Sequence, residues 1–160
     1  MLLSLSACGS KTGTGDGDIP TIKEQLRRDS LALLSLQQQY QAPLQEHFRW
    51  CDSMLAFVPK EHVNDYFGTL NLAQAYISQF NEMLPVMQHD VTYIGRQLDL
   101  LQNDIDTHFV SDSLANEYLN DEKASADTLH NRVLYFQDRL AQQDQALRDL
   151  KKKIGKAASK

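Results

Sequence analysis

Histidine and cysteine are the side chains here best suited to chemistry, and two of them stand four residues apart. His47 and Cys51 share one face of a helix, where they would hold the edge of a metal ion or haem with Phe48 and Trp50 alongside. Two soft ligands fall short, because structural zinc takes four protein ligands and catalytic zinc three. His62, His89, His108 and His130 are scattered, and none completes the Glu-x-x-His spacing of a di-iron bundle. Asp127-x-x-His130 occurs once. The expectation is core or surface histidines with no metal and no cofactor, His47 and Cys51 being the candidates if there were one. No phosphate-cradling glycine loop, GxSxG or HExxH stretch is present.

The elements that would position these residues follow from composition and periodicity. The chain has 160 residues, 42% apolar and 23% charged, with a net charge of −5, which suits one domain with a sizeable core. That charge excludes a generally basic nucleic-acid footprint. No run of about 18 apolar residues exists to span a bilayer as a helix. Two cysteines make no disulfide framework.

Between Ile19 and Ile154 only Gly68 and Gly95 interrupt a Leu-, Gln-, Asp-, Ala- and Glu-rich sequence, so helix is the expected regular structure. Alternating steps of three and four residues pick out Val63, Tyr66, Leu70 and onward to Leu101, Ile105 and His108, thirteen of fourteen positions being apolar. Six heptads in phase demand left-handed supercoiling, since a straight helix drifts about 20° per heptad. A second seam runs from Ala115 to Ile154, with Glu122 and Gln143 the two polar exceptions among twelve positions. The first segment is less regular: Ile19, Ile22, Leu26, Asp29, Leu33, Leu36, Tyr40, Pro43, His47, Trp50, Met54 and Phe57 include nine fitting residues. A neighbouring seam, Leu44, Phe48, Cys51, Leu55 and Val58, widens its apolar face.

Pro20 and Pro59 suit first helical turns, Ser111 to Ser113 supply a cap, and Pro43 and Pro85 should kink rather than end their helices. The fold class is therefore all-α: an elongated, coiled-coil-like, up-down-up antiparallel three-helix bundle over residues 19–155, with helices at 20–58, 59–109 and 112–154. The rival is a four-helix arrangement in which Pro43 or Pro85 makes a true turn. A buried unpaired charge is costly. The stripe around Asp29 is accordingly expected to shift to Ser30, Leu31 and Leu34 and leave the carboxylate solvated. A narrow rod filled by Leu, Ile and Phe offers no cleft for paired acids, so no enzyme is expected.

Residues 1–7 read as a truncated signal peptide and residues 8–18 as a flexible tether, holding four of the seven glycines. Leu5-Ser6-Ala7-Cys8 resembles the lipobox of bacterial lipoproteins, in particular the small helical lipoproteins of Bacteroidota. The resemblance implies cleavage before Cys8 and lipid attachment through its thiol. No Lys or Arg precedes Cys8, so the basic part of such a signal is expected upstream of Met1. Gly9, where an inner-membrane retention signal would have Asp, implies the outer membrane by analogy. Whether the periplasmic or the exposed face is occupied stays open.

Five of sixteen basic residues, Lys151, Lys152, Lys153, Lys156 and Lys160, fall in the last ten positions. They suit a helix C-terminus capped by Gly155, followed by a basic tail at 156–160, and could also meet anionic lipopolysaccharide or a partner's acidic surface. The plan of lipid at one end and a terminal lysine is similar to that of the major murein lipoprotein, whose last lysine is joined to peptidoglycan. The functional expectation is a non-enzymatic, membrane-anchored envelope lipoprotein acting as spacer, scaffold or docking surface for an envelope protein, with a homo-oligomer open. The alternatives are a small-ligand or metal-binding bundle built around Tyr40 to Phe57 with Tyr66 and Phe67, and a cytosolic coiled-coil adaptor.

Overall fold

The computed structural model describes residues 18–158, the side chains of residues 62, 65 and 158 excepted; Cys8 and Lys160 lie outside the described residues. Helix α1 (Asp18–Leu36) leads through a π-helical turn (Gln37–Gln41) into α2 (Ala42–Met54), and a 3₁₀ turn (Leu55–Phe57) ends this first arm. Two 47-residue helices follow, α3 (Lys60–Asp106) and α4 (Asp112–Ala158). Each is about 70 Å long at 1.5 Å per residue. The molecule is an all-α three-helix bundle.

Cross-helix contacts fix the directions. Phe80 meets Phe136 with ring centroids 5.4 Å apart, and Asp90 meets Arg132, so α3 and α4 run antiparallel. Gln25 reaches the Ala126 carbonyl and Cys51 the Leu147 carbonyl, so the first arm runs parallel to α4. The core is one cluster along the rod. In α3 it buries Leu70, Ala73, Ile77, Phe80, Leu84, Met87, Ile94, Leu98 and Leu101, all on the heptad seam. In α4 every seam position is buried except Glu122, which is half-buried. Each such Leu, Ile or Phe contributes roughly 1.5–3 kcal/mol on leaving water.

The two internal prolines behave differently. Pro85 lies inside an uninterrupted α3 and the seam keeps phase across it. Pro43 is the second residue after the π-turn. Its ring would crowd the carbonyl four residues back and it offers no N–H, and a wider i→i+5 turn accommodates both defects. The added width rotates the arm. Above the turn the core takes Leu44, Cys51, Leu55 and Val58, while His47, Trp50 and Met54 are half-buried and Phe57 is exposed. The neighbouring seam is thus the buried one, correcting the phase read through Pro43 to Phe57. Neither proline makes a turn, which removes the four-helix alternative.

The C-terminal ends of α3 and α4 depart from expectation in detail, while α4 starts at the expected cap. His108 is not a core residue: it stands exposed just past α3 with φ 56°, in the left-handed region. There its N–H donates to the Ile105 carbonyl and that of Phe109 to Asp104, closing the helix as a Schellman motif with His where Gly is usual. Ser111 caps α4, its Oγ accepting from the Leu114 N–H at 3.4 Å. Gly155 is not a cap, because α4 continues through it and Lys156 to Ala158.

Candidate functional site

His130, Asp144 and Lys151 are spaced by multiples of seven and fall in one line along α4. That line faces the first arm, and each member meets a partner there. Asp29 was expected in solvent; it is instead 2% exposed, while Leu31 and Leu34 are the exposed residues. The explanation is His130, whose Nδ1 lies 2.8 Å from Asp29 Oδ1. With the carboxylate accepting, that nitrogen carries the proton. The second carboxylate oxygen, Oδ2, is buried with no partner. One turn below, Gln25 Nε2 donates to the Ala126 carbonyl and to Asp127 Oδ1. Outside this contact Glu24 is bridged by Arg27 and Arg28, whose hydrogen bonds hold its carboxyl down at about 2.

Higher up the rod the second contact gathers the residues singled out for metal chemistry. His47 Nδ1 lies 3.3 Å from Asp144 Oδ1 without the alignment of a hydrogen bond. Asp144 is also held by Arg148 Nε at 2.8 Å. Cys51 is fully buried, its thiol 3.8 Å from the Leu147 carbonyl. Burial pushes that thiol's pKa up, opposed by the nearby charge of Lys151. A buried, protonated thiol behaves as a small hydrophobe rather than a nucleophile or ligand. His47 and Cys51 share a helix face but engage different atoms of α4. Among the described residues no group of three or more His, Cys, Asp and Glu is placed to hold a metal ion.

The third contact is Lys151 Nζ, 4.8 Å from the centroid of the Trp50 ring. A cation over an indole face is worth about 0.5–1 kcal/mol at an exposed site. Together His47, Trp50, Arg148, Lys151 and Lys152 line an open groove of about 570 Å³ at this end of the rod. Two of its cations are already ion-paired, Arg148 with Asp144 and Lys152 with Asp149, so the groove presents chiefly the Trp50 face and the Lys151 charge. Lys153 and Lys156 are exposed nearby.

The remaining candidate residues place simply. His89 stacks on Tyr93 with centroids 6.1 Å apart. Glu122 sits in a groove with Asp104, Asp121 and Tyr118, and burial, then the charge of Asp121, raises its pKa. Tyr40 and Tyr66 are half-buried against the core and Phe67 is exposed. Sequence reasoning missed Asp144 as a partner of His47 and His130 as the partner of Asp29. The available signal was an acid and a histidine on different helices in each case, readable only with the register between helices.

No described helix is long and apolar enough to cross a membrane. No protein-family model matches the chain, and no curated protein or solved structure matches it significantly.

Proposed function

We propose that the chain is a non-enzymatic envelope lipoprotein, anchored through Cys8 and holding a helical rod as spacer and docking surface for protein partners. The observation that carries this reading is the separation of two unlike ends. The segment bearing the lipobox-like Leu5 to Cys8 joins the rod where α1 begins at Asp18, beside the α3–α4 turn. The cationic groove of Trp50, Arg148 and Lys151 lies at the other end, about 45 Å along the axis at 1.5 Å per residue. Residues 8–17 add up to about 35 Å of reach when extended. In a single anchored copy a groove so placed faces away from the end that carries the lipid. The mechanism is geometric: lipid fixes one end, the rod sets the distance, and the far end selects by charge. Stable anchoring takes more than one acyl chain, which lipoprotein-type acylation of Cys8 supplies. The outer membrane is the favoured location by the analogy at Gly9.

The test is expression from the native upstream region, fractionation, and intact mass of the product. A membrane-bound species beginning at Cys8 with added lipid mass is the expected result, with Cys8→Ala moving the protein to the soluble fraction. An unprocessed, unlipidated wild-type chain in the soluble fraction would overturn the proposal in favour of a cytosolic helical adaptor.

A further inference from the structure

The core accounts for one seam of α3, yet that helix carries a second. Leu72, Gln79, Val86, Tyr93 and Leu100 recur at intervals of seven, and the four apolar members are 44–59% exposed. Tyr76 and Met83, each half-buried, fall three or four positions from members of this line. Over residues 72–86 that alternating spacing is the pattern of a coiled-coil seam with no helix packed on it; further along, the alternate positions are Asp90 and Gln97 and the exposed row alone continues the apolar line. Single exposed Leu or Tyr residues are ordinary on protein surfaces; a phased row over 29 residues is not.

The row borders the α3–α4 groove on the side away from the first arm. Arg139, reaching over Tyr76 at 5.9 Å and Tyr135 at 5.6 Å, marks this side, as does the Asp90–Arg132 pair. Glu82 and Arg96 stand exposed beside the row, but along its α4 flank charge is segregated. Asp104, Asp121 and Glu122 gather at the end nearer the α3–α4 turn. Arg139 and Lys153 lie on the heptad line of Arg132 toward the other end. Asp149, nearby, is already paired with Lys152.

We infer that this face binds a second copy of the chain, antiparallel, about a two-fold axis through Val86. The row is its own complement under that operation: Val86 meets Val86, Leu72 meets Leu100, and Gln79 meets Tyr93 of the second copy. Antiparallel pairing sets each acidic end against the other copy's Arg139 and Lys153, whereas parallel pairing would oppose acid to acid. The self-complementary patch is what an isologous dimer requires. Its size is adequate: about 43 Å of helix by about 20 Å for two helices side by side gives roughly 800 Å² per copy, the standard class of stable interface. The inference rests on the helix face alone and stands whether or not Cys8 is lipidated.

The test uses the full chain with Cys8→Ser, leaving Cys51 buried. Sedimentation should give twice the chain's mass at micromolar concentration, and Tyr93→Glu with Leu100→Glu should return the monomer with unchanged helical content, both residues being exposed in the single chain. Under mild oxidation Val86→Cys should crosslink to itself. Leu72→Cys and Leu100→Cys should each fail to self-crosslink, because two copies of either residue would lie about 42 Å apart. Mixed together, those two variants should crosslink. A monomer at every concentration, or self-crosslinking of Leu72→Cys and Leu100→Cys, would overturn the inference.

Discussion

A carboxylate with one hydrogen-bonded oxygen and one buried, unpartnered oxygen is the sharpest feature at the residue scale. Asp29 is tolerated in the core because His130 reaches it across the interface with α4. Removing only the histidine strands the acid, and stranded buried groups cost more than absent ones. His130→Ala should therefore lower the unfolding free energy by about 2 kcal/mol. Asp29→Leu added to His130→Ala should recover most of that loss, read as urea midpoints. Equal and additive losses would contradict the account. Glu122 gives a pH dependence. Its pKa is raised by burial and by Asp121, so the folded chain keeps that proton to higher pH than the unfolded chain does. Stability from this group is complete below the ordinary carboxylate range and is lost as pH rises through the raised value. Glu122→Gln should be the more stable protein at pH 7, with the difference shrinking to nothing in acid. A constant difference across pH would assign the effect to packing instead.

At the scale of elements, heptad phase did most of the positioning. The seams of α3 and α4 were legible because an apolar residue every three or four positions has only one way to be buried on a long helix. The first arm was not legible to the same degree. A π-turn changes phase without any residue type that announces it beyond Pro43, so the buried line passes from Leu36 to Leu44 and Cys51 instead of Pro43 and His47. The Asp29 expectation failed for a related reason, since the pairing with His130 depends on how two helices slide together rather than on either helix alone. The cap assigned to Gly155 failed because helix propensity and the packing of Ile154 carry α4 past it. Glycines inside these helices have no structural task. A methyl group at Gly68 or Gly95 would meet nothing within 4 Å. Gly68→Ala and Gly95→Ala should each raise stability by about 0.5–1 kcal/mol, measured by thermal or urea unfolding. Destabilisation by either would mean that its helix face is covered by something other than solvent.

At the scale of the molecule, the separation of the two ends and the phase of the exposed row both depend on α3 carrying straight through Pro85. An unbroken rod keeps the N-terminal tether and the Trp50–Lys151 groove apart, and it keeps Leu72, Val86 and Leu100 on one line. The direct measurement is the distance between spin labels placed at Glu61→Cys and Asn103→Cys in the Cys8→Ser chain, diluted with unlabelled protein so that only intramolecular pairs are read. Both positions are exposed, and the native thiol of Cys51 is buried from the label. Forty-two residues of continuous helix predict a separation of about 63 Å. A distance below about 20 Å, as when α3 folds back at Pro85 to lie beside itself, would contradict the account.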